Sequence, residues 1–216
     1  EKFRVVSFRE GEYYEAIFKQ GWKVKEKKGK KEGERNGTYV EFTPDPEIFG
    51  EYEFNMEFVD SGLELGLFNS GLTLKLGKKV FYSEGGLLDL LGGEIGEEGL
   101  YPIGHFRNDQ LEFAFTHTNN YGETYFSFVN GQFTSNGGTH LSAFREGVLK
   151  GVNEYFGKNY SGVDVREGIA GSVAVKLQNP VFESQTKNKL GNSEIRGWIV
   201  GEVKSAVVDY FHKNPD

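Results

Sequence analysis

The residues best placed to do chemistry lie in the run Phe182-Glu183-Ser184-Gln185-Thr186-Lys187-Asn188-Lys189-Leu190-Gly191-Asn192. Small polar residues and two lysines separate a strand-like segment from a long amphipathic helix. The Lys187 ammonium is a compact charge with three donors, suited to phosphate oxygens. Gln185 adds an amide donor. Backbone N–H groups and the N-terminus of the following helix add partial positive charge. Moving a phosphoryl group needs placement and charge stabilisation more than covalent help. Lysine-bearing turns are common, so residue types alone make this loop a candidate phosphate site and no more.

Other chemistries have weaker signals. His105, His117, His140 and His212 are widely spaced, with no H-x-x-x-H pattern, so no metal site is expected. There is no cysteine, which excludes disulfides and thiolate metal sites and fits a reducing cytoplasm. No G-x-S-x-G or Walker A sequence occurs. Gly151 with Gly157-Lys158-Asn159 comes near the latter, but is one residue too long and lacks the final hydroxyl. The acid pairs Glu97-Glu98 and Asp45/Glu47 read as solvated surface. A net charge of −7 argues against a broad nucleic-acid-binding face. The run Lys23 to Lys31 holds six lysines and is read as a solvated loop, with a phosphate or DNA contact as the minor alternative. No apolar run approaches the ~20 residues that span a bilayer, so no membrane partner is expected.

The elements that must position the loop follow from periodicity. Residues 3–8 and 13–18 alternate around Arg9-Glu10-Gly11-Glu12, a β-hairpin. Asn36-Gly37 is a turn, Val40 and Phe42 share a strand face, and Pro44 and Pro46 end that strand. Residues 56–68 fit a helix weakened by Gly62 and Gly66. Leu72 to Leu76 alternates as a half-buried strand, and residues 85–95 suggest a short helix. Leu111–Phe115 and Thr124–Phe128 alternate and are expected to pair antiparallel. Thr139 is expected to cap a helix carrying Leu141, Phe144, Val148 and Val152. Ile169 to Leu177 is apolar on both sides, a strand buried on two faces. Ile195, Trp198, Ile199, Val203 and Val207 form the stripe of a last helix stopped at Asn214-Pro215, with Trp198 and Ile199 buried. The pattern is α+β. Thirty glycines are unexplained by it, including Gly147, Gly151, Gly197 and Gly201 inside predicted helices, where each costs ~1 kcal/mol against alanine.

Several motifs together resemble the B subunit of bacterial type IIA topoisomerases, DNA gyrase and topoisomerase IV. They are Arg35-Asn36-Gly37-Thr38, Phe68-Asn69-Ser70-Gly71-Leu72, Tyr82-Ser83-Glu84-Gly85-Gly86, Gly137-Gly138-Thr139-His140, Asp164 to Gly168, and Pro180 to Asn192. Ser127 to Gln132 and His212 to Pro215 look more like topoisomerase IV. The resemblance implies the tail of a GHKL-type ATPase domain over residues 1–79. It implies a transducer domain, resembling ribosomal protein S5 domain 2, over residues 80–216. It implies ATP as the nucleotide, with Gln185 and Lys187 at its terminal phosphate, Lys187 catalytic, and Thr38 holding the adenine. The family's general base and magnesium ligands belong to motifs this sequence lacks, so the chain reads as a fragment inactive alone, with Mg2+ held elsewhere. Implied partners are the topoisomerase A subunit, DNA and a second B subunit, in the cytoplasm. The alternatives are a non-catalytic S5-like interaction module and a sibling ATPase such as a MutL-like mismatch-repair protein.

Overall fold

The computed structural model describes residues 1–66 and 72–215; the Phe68–Leu72 motif lies outside them except for Leu72. Two compact units divide the chain, Glu1–Met56 and Glu57–Asp216.

The first unit is a four-stranded antiparallel sheet of β1 (Lys2–Arg9), β2 (Glu12–Lys19), β3 (Trp22–Lys30) and β4 (Gly37–Thr43), in the order β3-β2-β1-β4. Glu10-Gly11 and Gln20-Gly21 make the two tight turns, all four residues at positive φ, as two-residue hairpins favour. Strand β3 corrects the expectation of a loop over the lysine run. Cross-strand pairing with β2, from Lys19↔Trp22 to Glu12↔Lys30, overrides the polar composition. On β4, Thr38, Val40 and Phe42 lie opposite Ser7, Val5 and Phe3, so these six share one face, while Tyr39 and Glu41 take the other. A one-turn helix α1 (Pro46–Phe49) follows, started by Asp45, whose carboxylate accepts from Glu47 N at 3.1 Å, with proline at the first turn.

The second unit opens with α2 (Met56–Gly66), the hairpin β5 (Thr73–Leu76) and β6 (Lys79–Tyr82), and α3 (Leu87–Ile95). Then come β7 (Gly104–Arg107), β8 (Leu111–His117), β9 (Thr124–Val129), β10 (Gln132–Phe133), α4 (Thr139–Phe156), α5 (Gly162–Arg166), β11 (Ile169–Val175) and α6 (Arg196–Lys213). The five-stranded sheet runs β10-β9-β11-β8-β7. Strands β8 and β9 therefore do not pair, contrary to expectation. Strand β11 enters between them, antiparallel to β8 and parallel to β9. The apolar character of both faces of β11 had signalled a central strand, and its residues are buried throughout except Ala174.

On one face of this sheet α4 and α6 cover Phe113, Phe115 and Val173; on the other α3 covers Ala114 and Ala170. Ile199 is fully buried in the first of these layers and Trp198 is partly buried against it. The helix glycines divide into two kinds. A Cβ on Gly147 would stand 2.6 Å from the Cβ of Val203, and one on Gly151 2.7 Å from that of Val207. Close helix–helix approach requires them. Gly197 and Gly201 face open space, and nothing in the structure explains them.

Candidate functional site

The Gln185–Lys187 loop stands on a rigid stem. Phe182 pairs antiparallel with Leu190, and Glu183 N donates to Lys189 O at 3.0 Å. Below this, Asn192 is buried; its Oδ1 accepts from Val181 N at 2.6 Å and its Nδ2 donates to Asn179 O at 3.2 Å. At the tip, Lys187 N donates to Ser184 O at 3.0 Å, closing a turn, and the Ser184 and Thr186 hydroxyls are 2.7 Å apart.

Lys187 has φ +58. Among the described residues the other non-glycine residues at positive φ are Glu10, Gln20 and Asn130, each followed by glycine in a tight hairpin turn. Lys187 is followed by Asn188, so no hairpin rule accounts for it. Its side chain is exposed and forms no ion pair among the described residues, whereas Lys189 pairs with Glu183 at 2.9 Å. Gln185 is exposed too. Lys187 borders a cleft of about 330 Å³ with Phe182, Pro180 and the Asn130-Gly131 turn. An uncompensated ammonium, held in a backbone conformation that costs roughly 1–3 kcal/mol, fits an anion at this cleft.

The structure corrects two expectations here. Helix α6 starts at Arg196, after a 3-10 turn over Ser193–Ile195, so Lys187 does not sit just before a helix. The Thr139 hydroxyl does not cap α4. The N-cap is Gly138, without a side-chain bond, and Thr139 Oγ1 instead donates to Leu190 O at 3.4 Å.

That contact belongs to a set that joins two separated motifs. Leu190 N donates to Gly137 O at 3.1 Å, Thr139 N to Leu190 O at 3.0 Å, and Asn136 N to Asn188 O at 2.9 Å. Gly138, at φ +130, touches Leu190 so closely that a Cβ would lie 2.4 Å from its main-chain N and O. The Gly137–His140 segment is thus the platform of the lysine loop. Sequence reading had the motif but not this role. Two consecutive glycines ahead of a helix were the available signal, since only a bare backbone allows such an approach.

His140 anchors the platform. It is fully buried, its Nε2 is 3.3 Å from Thr134 Oγ1, and Thr134 in turn bonds Ser127. Burial pushes its pKa down to about 4, so the ring is neutral near pH 7. His117 is held between the Tyr101 hydroxyl and Val165 O, which makes it structural.

Thr38 lies in the other compact unit, exposed on β4. Its neighbours on that face, Val40 and Phe42, are 53% and 55% exposed, an apolar surface against which a planar base can pack. Among the described residues no three His, Asp or Glu side chains are grouped as metal ligands.

A family model described as DNA gyrase B matches residues 85–216. The B subunit of DNA topoisomerase 4 from Borreliella burgdorferi is 46% identical over 215 residues, covering 99% of this chain and 36% of that protein. The B subunit of DNA gyrase from Clostridium acetobutylicum is 35% identical over 207 residues, covering 85% of this chain and 32% of that one. The chain thus spans about a third of the length of these relatives. The crystal structure of the 43K ATPase domain of Thermus thermophilus gyrase B, bound to an aminocoumarin, superposes with TM-score 0.75 at 31% identity, covering 100% of this chain and 64% of that one. The topoisomerase IV ATP-binding domain of Francisella tularensis gives 0.80 at 23% identity, covering 100% and 65%, and speaks for the fold alone.

Proposed function

Because the chain belongs to the DNA gyrase B family, we propose that its lysine loop senses the terminal phosphate of ATP in the B subunit of a type II topoisomerase. Lys187 contacts the transferring phosphoryl group, Gln185 binds it alongside, and Thr38 holds the adenine. The observation that carries this reading is the ammonium of Lys187, without an ion pair and in a left-handed backbone on a stem bonded on both sides.

Residues 1–79 are proposed as the end of the GHKL-type ATPase domain and residues 80–216 as the transducer resembling ribosomal protein S5 domain 2. The exposed apolar face of β4 supports the first part, since the rest of an ATPase domain would cover it. In this reading ATP ties the loop to the nucleotide domain and hydrolysis releases it, a hinge-type switch that couples the nucleotide to DNA strand passage. Magnesium ligands and the general base lie outside this chain, so the chain alone does not turn over ATP. The proposed partners are the topoisomerase A subunit, a second B subunit and DNA, in the cytoplasm.

The test is Lys187→Ala in a full-length B subunit carrying this sequence. ATP turnover should collapse while nucleotide affinity changes little. Unchanged turnover would remove the loop from the reaction.

A further inference from the structure

The lysine run from 23 to 31 forms an edge strand, and its charge is local. Lys23 pairs with Glu26 at 2.5 Å and Lys31 with Glu34 at 2.7 Å. Lys25, Lys27, Lys28 and Lys30 have no ion pair among the described residues. Beside β3 opens a cleft of about 540 Å³. Arg4, Lys27, Lys30 and Lys31 line it, against one acid, Glu15, which Arg4 engages at 2.7 Å. Its floor is aromatic, and each ring carries a cation. The Arg4 guanidinium lies 5.3 Å from the Tyr39 ring, Lys27 5.8 Å from Tyr13, and Lys31 5.4 Å from Phe8. So positive a patch on a chain of net charge −7 needs a reason.

Edge strands do carry lysine to prevent unwanted pairing, and one or two suffice for that. Four lysines without ion pairs beside a cation-lined cleft exceed it. The nine residues of β3 extend about 30 Å, close to one turn of duplex DNA. The register puts Lys25 and Lys27 on the face of Tyr13 and Glu15, and Lys28 and Lys30 on that of Tyr14 and Glu12. A mononucleotide in the cleft would leave Lys28 unused; a continuous phosphate backbone lying along the open edge of β3 would meet both rows. Tyr39 and Arg4 lie on the face opposite Thr38, Val40 and Phe42, and Lys28, on the face of Thr38, is three strands away from it, so an occupant along β3 does not compete with the proposed adenine contact.

We propose that β3 and the cleft beside it are a docking surface for the phosphate backbone of duplex DNA. This rests on the reading of the chain as part of the B subunit of a topoisomerase. The contact is electrostatic and indifferent to base sequence.

Fluorescence anisotropy of a labelled duplex of about one to two helical turns with the 216-residue chain, over a series of salt concentrations, tests it. The variant Lys25→Gln/Lys27→Gln/Lys28→Gln/Lys30→Gln should lose at least roughly tenfold in affinity at low salt. The slope of log affinity against log salt should become shallower by about 3 to 4, since each phosphate contact contributes ~0.9. The corresponding arginine variant should bind as the parent does, and circular dichroism should show the sheet intact in both. Parental affinity and slope in the glutamine variant overturn the proposal. So does absence of duplex binding by the parent, or a preference of the parent for phosphatidylserine vesicles over duplex. Lys187→Ala separates the two readings. It should leave duplex binding unchanged, and the β3 variant should leave DNA-independent ATP turnover of the full-length protein unchanged. If Lys187→Ala spares turnover, the phosphate-sensing role fails while the β3 result stands by itself.

Discussion

At the scale of single residues, Lys187 differs from its neighbour Lys189 in two measurable ways. Lys187 is left-handed and has no ion pair among the described residues; Lys189 is paired with Glu183 across the stem. An electrostatic contact made in the transition state and only weakly in the ground state affects turnover rather than binding. Lys187→Ala in the full-length protein should therefore lower kcat by roughly 10²–10³, about 3–4 kcal/mol, with nucleotide affinity nearly kept. Lys189→Ala should stay near the parent, because an exposed ion pair contributes ~0–1 kcal/mol. Lys187→Gly adds a distinction that alanine cannot. Glycine adopts φ +58 without strain, so this variant should match or exceed the parent's stability, by up to about 1 kcal/mol, while losing turnover as alanine does. Chemical unfolding and steady-state ATPase assays on the same two variants check both halves. Equal loss of turnover at Lys187 and Lys189 would mark a generally basic loop instead. Lys187 was legible in the sequence through the family resemblance of its Gln185-Thr186-Lys187 loop, since lysine-bearing turns are too common to single it out by residue type. Its strained backbone was not, since nothing in the residue order Thr186-Lys187-Asn188 demands positive φ.

At the scale of elements, periodicity located most strands and helices, and failed where tertiary partners decide. Strand β3 has the composition of a solvated loop and is held as a strand by its ladder to β2. The β8–β9 neighbourhood was inferred from closeness in sequence. The doubly apolar β11 displaced it, because a strand buried on both faces must take a central place. The join between the lysine loop and the Gly137–His140 platform links residues about fifty positions apart, beyond the reach of any local pattern. The helix glycines allow a direct test of what packing explains. Gly147 meets Val203 and the main-chain O of Val200, so Gly147→Val should overpack the α4–α6 contact and destabilise the chain by about 1–3 kcal/mol. Gly201 is exposed, with nothing near it, so Gly201→Ala should stabilise by roughly 0.4–1 kcal/mol through helix propensity and a less flexible unfolded chain. Urea midpoints that move in opposite directions would confirm that only the first glycine is there for packing.

At the scale of the whole molecule, the two compact units differ in how much core they own. Val6 and Ala16 are the buried hydrophobic residues described in Glu1–Met56, whereas Glu57–Asp216 holds the three core clusters. Global stability is therefore set mainly by the second unit, and its acid dependence should follow the one strongly shifted histidine inside it. His140 has its pKa lowered by burial to about 4, against 6.5 in an unfolded chain. Between these values the unfolded state binds the proton and the folded state does not, so stability rises with pH across that window. Taking the chain from pH 7 to pH 5 should remove about 2 kcal/mol through this group. The carboxylates titrate mostly below the interval from pH 7 to pH 5. The Ser83 hydroxyl holds Asp89 low and Lys150 holds Glu146 low, so their contributions are fully present above the ordinary carboxylate range and fade only as pH falls below it. Thr134, the hydrogen-bond partner of His140, carries no charge to oppose protonation or favour it. His140→Gln keeps a polar atom for Thr134 and removes the titration. Unfolding free energies measured in urea at pH 7 and pH 5 should then differ by about 2 kcal/mol less in the variant than in the parent. An unaltered difference would mean that the acid sensitivity originates elsewhere, and that the buried imidazole is protonated as easily folded as unfolded.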